Sequence, residues 1–542
     1  MTAPLDDLPD DVEALRALIT AERADHTAVL RERDRAHEEN ARLRQIIKAL
    51  QRHRFGRRSE ALDDDQLALA LEDVEQTLAA NEAGTEAQAP ATPARAGRSR
   101  KTNRGALPAH LPRVEITIDV GDKLCPCCAG ALHRIGEDVA ERLDVIPAQL
   151  RVLVVRRPKY ACRACEGAVV QAPAPPRLIE GGLPTETLVA HVITSKYADH
   201  TPLYRQAQIY ARQGIALDRS TLADWVGRAA WLLKPLHMRL LERLKASSKL
   251  FADETSAPVL DPGRGRTKLG QLWAYARDDR PWGGADPPSV VYVYAPDRTA
   301  ERVIAHLAGF RGVLQVDGYA GYKLLAKRGD VDLAFCWSHV RRRFYELAAA
   351  GPAPIATEAL ERIKALYAIE VEIRGRAADD RRRLRQDKAC PIVVALERWL
   401  RSKLGEISQK STLAEAIRYA LSRWQGLTRF LDDGRIELDS NVVERAIRPI
   451  ALNRKNALFA GSDGGGDHWA VLASLIETCK LNAVDPQAYL ADVIARIVNG
   501  HPNSRLDDLL PWSYASTTKG ARNATGQDID TVGPDHNGLQ RS

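Results

Sequence analysis

The chain has 542 residues, of which 45% are hydrophobic and 27% charged, with a formal net charge of +7. That length exceeds one compact core and calls for several domains. No run approaches the roughly 18 apolar residues of a membrane span, and the acidic start MTAPLDDLPDDVEAL lacks the layout of a secretory signal. The chain therefore reads as cytoplasmic, with a modest basic excess that favours a polyanion without identifying one.

In chain order, 1–80 reads as a helical region. Leu15, Val29, Ala36, Leu43 and Leu50 recur every seven residues, with Glu22 breaking the series. This leaky heptad fits a dimerising coiled coil or an ordinary amphipathic helix. Seven basic and no acidic residues lie between Arg42 and Arg58, and five basic residues lie unopposed between Arg95 and Arg104. Such runs are solvated surface or a nucleic-acid footprint. Residues 81–113, rich in Ala, Pro, Gly and Arg, read as a linker whose Arg98, Arg100, Lys101 and Arg104 can lie along a phosphate backbone.

Residues 114–180 form a cysteine module. Cys125-Pro-Cys-Cys128 and Cys162-Arg-Ala-Cys165 are two C-x-x-C knuckles with 33 residues between them. Four thiolates at that local spacing can close a tetrahedral structural Zn²⁺ site, with Cys127 a spare that clouds the choice of ligand. The intervening ERLDVIPAQLRVLVVRRPKY suits a strand pair.

Over 181–246 three helices are expected, 185–197, 202–212 and 219–233. Their spacing suits a helix-turn-helix, with Ser220 and Thr221 capping the last helix and Arg219, Asp224 and Arg228 facing a groove. A bare three-helix packing unit explains the same pattern.

From Lys249 the sequence turns β-rich, with strands over 249–260, 271–276 and 290–295, a helix over 299–308, and strands over 313–316 and 333–337. The order of elements is that of a ribonuclease-H-like fold, split into 247–345 and 436–507 by a helical insertion, 346–435. Three carboxylates fall at notable places in it: Asp253 on the first strand, Asp317 at the end of the fourth, and Glu444 on the late helix. An acid at a strand end is commonly a turn former, and Arg448 at i+4 offers Glu444 a surface ion pair. A convergence of all three would instead hold two Mg²⁺ or Mn²⁺ ions for phosphodiester chemistry.

Cys336-Trp-Ser-His339 reads either as a functional C-x-x-H or as a buried Cys with a helix-start His. Arg341, Arg342 and Arg343 follow it, placed to grip phosphate. GSDGGGDH reads as a flexible loop near the active site or DNA, since it lacks the phosphate-loop lysine. The tail, 508–542, is expected to be disordered.

FGRRSE, LPAHLPR, RPKYACRAC, HTPLYRQ, RSTLADWV, ADET, VDGYAGY, CWSHVRR and NVVERAIRP, in this order, resemble the bacterial insertion-sequence transposases of the IS66 group over nearly the whole chain. The resemblance implies a DNA transposase with the acidic triad Asp253, Asp317 and Glu444, a zinc domain and a helical insertion. The substrates expected are the terminal inverted repeats of its element and target DNA, in a homodimer or higher assembly near the nucleoid. Accessory proteins of the same element are candidate partners. The rival readings are a stand-alone nuclease of the same fold and a catalytically silent DNA-binding protein.

Overall fold

The computed structural model describes residues 111–146, 149–164, 168–261 and 266–514, with isolated positions 11–13, 20, 84, 107 and 109. The heptad region, the basic residues Arg98, Arg100, Lys101 and Arg104, Cys165 and the chain after 514 lie outside the described residues. Among the described residues, no helix is long and apolar enough to cross a membrane.

The cysteine module is a small sheet. β1 (Arg113–Thr117) runs parallel to β3 (Gln149–Ala161), β3 pairs antiparallel with β2 (His133–Ile146), and β4 (Val169–Gln171) adds to β3. The long β2–β3 hairpin is the strand pair expected between the knuckles. Its far end is tied to the helices: the Thr185 hydroxyl donates to Asp144 at 2.8 Å and accepts from the Leu188 N–H, capping the Glu186–Tyr197 helix.

Of the three expected helices, Glu186–Tyr197 and Leu203–Arg212 end close to the anticipated bounds, whereas the third runs on for 27 residues, Arg219–Lys245. Leu222, Val226, Ala229, Leu233, Leu236, Leu240 and Leu244 recur at helical spacing and are all buried. This helix is part of the core, packed against the central sheet, and Ser220 and Thr221 lie inside its first turn after Asp218 at the cap position.

The central sheet has the order β7-β6-β5-β8-β9: β5 (Lys249–Asp261), β6 (Arg266–Arg277), β7 (Ser289–Ala295), β8 (Gly312–Val316) and β9 (Val331–Phe335). β5, β6 and β7 are antiparallel neighbours, while β8 and β9 run parallel to β5. Side-chain alternation divides its aromatics between two faces. Tyr292 and Tyr294 point toward the helices Asn441–Ala457 and Asp463–Leu481, where the Tyr292 hydroxyl donates to the Ala446 carbonyl at 2.6 Å. Trp273 and Tyr275 point the other way, onto His306 of the Ala300–His306 helix, and Trp273 also meets Tyr322 of the Ala320–Ala326 helix.

The insertion is helical, as expected. Pro354–Ile373, Cys390–Glu406 and Thr412–Leu421 bury Ile363, Leu366, Leu396, Leu400 and Ile417 in a second core, which also takes in Trp337 and Phe344.

GSDGGGDH is not a loop: Ser462 caps the Asp463–Leu481 helix, and its glycines form the first turn. Gly466 is small because the helix lies hard against Tyr294, where a Cβ would come within 2.5 Å of the ring. Nor does order stop at 508, since Leu509 and Leu510 are buried and Arg239 and Arg243 both bond Asp507 just before them.

Candidate active site and metal centre

Strand register explains how two remote aspartates meet. In the parallel β5–β8 ladder Lys249 pairs with Val313 and Phe251 with Gln315, and the same offset continued two residues past the ladder brings Asp253, within β5, near Asp317, just after β8. Gly318 then turns the chain at φ +106°, a conformation open to glycine, and the Tyr319 N–H donates to the Asp317 carboxylate at 2.9 Å.

The face of the sheet follows from the antiparallel pairs. Asp253 is opposite Ala274, and Ala274 is opposite Tyr292, so Asp253 shares the face that meets the Asn441–Ala457 helix. Glu254 is opposite Trp273 and lies on the other face, where it accepts from Arg298 at 2.8 Å and from the Tyr322 hydroxyl at 3.1 Å.

Glu444 sits in the first turn of the Asn441–Ala457 helix, whose entry is fastened to the ends of β8 and β9. Gln315, fully buried, donates to the carbonyls of Glu437 and Asp439 and accepts from the Glu437 N–H. The Trp337 N–H donates to the Leu438 carbonyl, and the Ser440 N–H donates to Cys336 Sγ at 3.2 Å. Glu444 Oε1 accepts from Ser338 at 3.4 Å and from Ser440 at 3.3 Å. Among the described residues it forms no ion pair with Arg448.

Electrostatics links these groups. Burial, aided by the charges of Glu254 and Asp317, pushes Asp253 up to about 7 against the bond from the Glu254 N–H. Burial likewise raises Glu254, despite Arg298. His339 stands among all three sites: the adjacent Cys336 thiol holds it above its ordinary range against burial, with Glu444 and Asp317 adding to the effect. The same ring acts on Asp253. Burial pushes the Cys336 thiol up, but His339, Ser338 and Ser440 outweigh it, and the thiol lies below its usual value. Asp253 and Asp317 are half-buried and repel one another, the charge and hard oxygens that a divalent cation requires. Glu444 is on the facing helix, and among the described residues the three acids do not bring their oxygens all within 4.8 Å.

The insertion reaches this edge. The Tyr419 hydroxyl donates to the Asp317 carbonyl at 2.9 Å, the Arg423 guanidinium lies 3.9 Å from the centre of the Tyr419 ring, and Arg343 stacks on the same ring at 4.0 Å. Sequence reasoning missed Glu254, Tyr419 and Arg423; ADET alone gave a local signal, the acid beside Asp253. Arg341 and Arg342 are exposed on the Trp337–Ala350 helix that begins beside His339. Arg228 does not fit its expected place in a groove: it is 3% exposed and its guanidinium is held by Asp224 at 3.2 Å, so no phosphate can reach it. Arg219 is half-buried at the start of the same helix.

In the cysteine module, Cys125, Cys128 and Cys162 bring their sulfurs within 4.8 Å of one another, with Cys128 and Cys162 3.6 Å apart. Three converging thiols are the donor set that Zn²⁺ selects. Cys127, one residue away, is exposed and outside this group. Cys165 falls outside the described residues. A tetrahedral ion here has a structural role, because it would fasten the base of the β2–β3 hairpin.

Comparison with known proteins bears on the whole chain. Residues 181–468 match the family described as Transposase IS66 family, and 474–512 match the IS66 C-terminal element. Residues 122–166 match the zinc-finger binding domain of transposase IS66, and 42–116 match Transposase C of IS166 homeodomain. Two uncharacterized proteins of Sinorhizobium fredii are similar throughout. y4qI is 47% identical over 95% of this chain and 99% of its own length, and y4jD is 46% identical over 95% and 98%. A third from the same organism, y4hP, is 38% identical over 86% of this chain and 88% of its own length.

Proposed function

The chain belongs to the IS66 transposase family, and from that premise we propose that it binds the terminal inverted repeats of its element and catalyses Mg²⁺-dependent DNA cleavage and strand transfer. The observation that carries this reading is the β5–β8 register, whose continuation supports a pairing of Asp253 with Asp317 on the sheet face toward the Glu444 helix. The strand order β7-β6-β5-β8-β9, with the first three strands antiparallel and the last two parallel to β5, supports a ribonuclease-H-like catalytic domain.

Asp253, Asp317 and Glu444 are the oxygen ligands in this proposal. Bound divalent ions there would neutralise charge on the phosphodiester and activate the attacking hydroxyl. The protein's own contribution is positional. Arg298 neutralises Glu254 on the opposite face, leaving Asp253 to the metal side. Gln315 and Cys336 fix the approach of the Glu444 helix. Arg341, Arg342 and Arg343, exposed or stacked beside the acids, hold the phosphate backbone across the site. Arg219 and the arginines of the 81–113 linker extend that contact along the DNA. Two element ends must be handled together, so the working form is a dimer or larger assembly, with the element's accessory proteins as partners.

The test uses purified protein with DNA carrying the element's own ends. Mg²⁺-dependent nicking at the ends, followed by joining of precut 3′ ends to a target, is the expected result. Nicking without joining would make the protein a nuclease, and salt-sensitive binding with neither step would make it a silent DNA-binding protein.

A further inference from the structure

Beside the acidic edge lies a second cluster whose chemistry differs from it. Cys336, His339 and Glu444 each offer one ligand atom, and all three atoms lie within 4.8 Å of one another. His339 Nδ1 is 3.9 Å from Glu444 Oε1, and this buried nitrogen has no hydrogen-bond partner among the described residues. Two ligands of a tetrahedral ion at bond lengths of about 2.0–2.3 Å stand roughly 3.3–3.8 Å apart. The spacing is too long for a hydrogen bond and close to that of two ligands around one ion.

The three donors come from rigid places. Cys336 links β9 to the Trp337–Ala350 helix as its cap residue, His339 is in the first turn of that helix, and Glu444 is in the first turn of Asn441–Ala457. Cys336 is buried, while His339 and Glu444 remain about a quarter exposed, so a fourth position opens toward solvent. A thiol, an imidazole and a carboxylate form a borderline-soft set that favours Zn²⁺ over Mg²⁺.

We propose that Cys336, His339 and Glu444 form a second, regulatory transition-metal site, at which Zn²⁺ engages Glu444 and so competes with the Mg²⁺ chemistry of the acidic edge. The binding rests on geometry alone, whereas its inhibitory consequence rests on the function proposed above for Glu444.

The experiment uses the full chain with its cysteine module already loaded with one Zn²⁺, titrated with Co²⁺ and followed by absorbance and by metal content. A thiolate-to-cobalt charge-transfer band that grows with metal taken up beyond the one Zn²⁺ is expected, and it reports this site even where the acidic edge also takes Co²⁺. Cys336→Ser should abolish that band, and His339→Gln should weaken binding by at least about tenfold, since even outer-sphere losses cost that much. Circular dichroism confirms that each variant is folded, and if Cys336→Ser is not, His339→Gln decides. Saturation at one metal per chain, or a band unchanged in the folded variants, would overturn the site. Micromolar Zn²⁺ added to the Mg²⁺ cleavage reaction should slow the wild type, whereas Cys336→Ser, whatever its own rate in Mg²⁺ alone, should show no further slowing by Zn²⁺. A second metal without inhibition would overturn the competition and leave the site standing. Absence of cleavage in Mg²⁺ alone would count against the function of Glu444, while the cobalt band would still decide the site.

Discussion

Asp253 and Asp317 stand two register steps past Phe251 and Gln315, the last pair of the parallel β5–β8 ladder, so adjacent strands bring two carboxylates close together where the ladder opens. Neither strand could slip by one residue without turning its acid to the opposite face. If metals held there supply several kcal/mol to the transition state, Asp253→Asn or Asp317→Asn should lower Mg²⁺-dependent cleavage by about a thousandfold or more. Binding of element ends, measured by mobility shift, should remain.

The raised Asp253 carboxyl makes the metal-free protein sensitive to pH. Its folded value is about 7, against roughly 3.9 in an unfolded chain. Between these values the native state keeps a proton that the unfolded state has released, so stability falls as pH rises through this window and levels off above it. The slope from this group is at most about 1.4 kcal/mol per pH unit. Thermal unfolding in EDTA should show that decline in the wild type and a shallower one in Asp253→Asn. Mg²⁺ should restore more stability at pH 8 than at pH 5.

Gln315 is a positioning residue for Glu444, tied to Glu437 and Asp439 by three hydrogen bonds from a fully buried site. Gln315→Ala leaves those backbone groups unsatisfied, at a cost of about 1–3 kcal/mol each at most. Cleavage should fall by about tenfold or more, while end binding stays within twofold of wild type. Equal losses in both would assign Gln315 a purely structural role.

Chelation of the cysteine module, or Cys162→Ser, should release the β2–β3 hairpin, because the thiol cluster fastens its base. Limited proteolysis would then cut within 114–180 before the central sheet. Cys127→Ser, which alters an exposed thiol outside the cluster, should leave the pattern unchanged.

Two helical glycines should respond oppositely to alanine. At Gly466 a Cβ meets the Tyr294 ring at 2.5 Å, and overpacking of this kind costs about 1–3 kcal/mol. At Gly405 nothing lies within 4 Å, so alanine should stabilise the helix by up to about 1 kcal/mol. Paired melting curves would check both signs.

Much of the architecture was legible because it rests on local physics. Apolar, β-rich runs mark β5 to β9, although β6 begins five residues before the expected 271 and the seven-residue Ala320–Ala326 helix has no comparable signal. C-x-x-C spacing marked the thiol cluster, and the long apolar run between the knuckles marked the hairpin. Where local and tertiary meanings diverge, local reading erred. The glycines of GSDGGGDH resembled a loop but serve a tight helix contact, and Arg228 resembled a groove residue but lies in the core.

The sequence by itself determined which donors this protein has: three separated acids, two cysteine pairs, and a Cys and His one helical turn apart. Composition and near-neighbour spacing are enough to specify chemistry of that kind. Only the tertiary structure decided that Asp253 rather than Glu254 faces the Glu444 helix, that His339 comes within 3.9 Å of Glu444, and that Tyr419 and Arg423 of the insertion lie against the Asp317-Gly318 backbone. Those outcomes depend on strand register and on packing across more than a hundred residues, which no short window of sequence encodes.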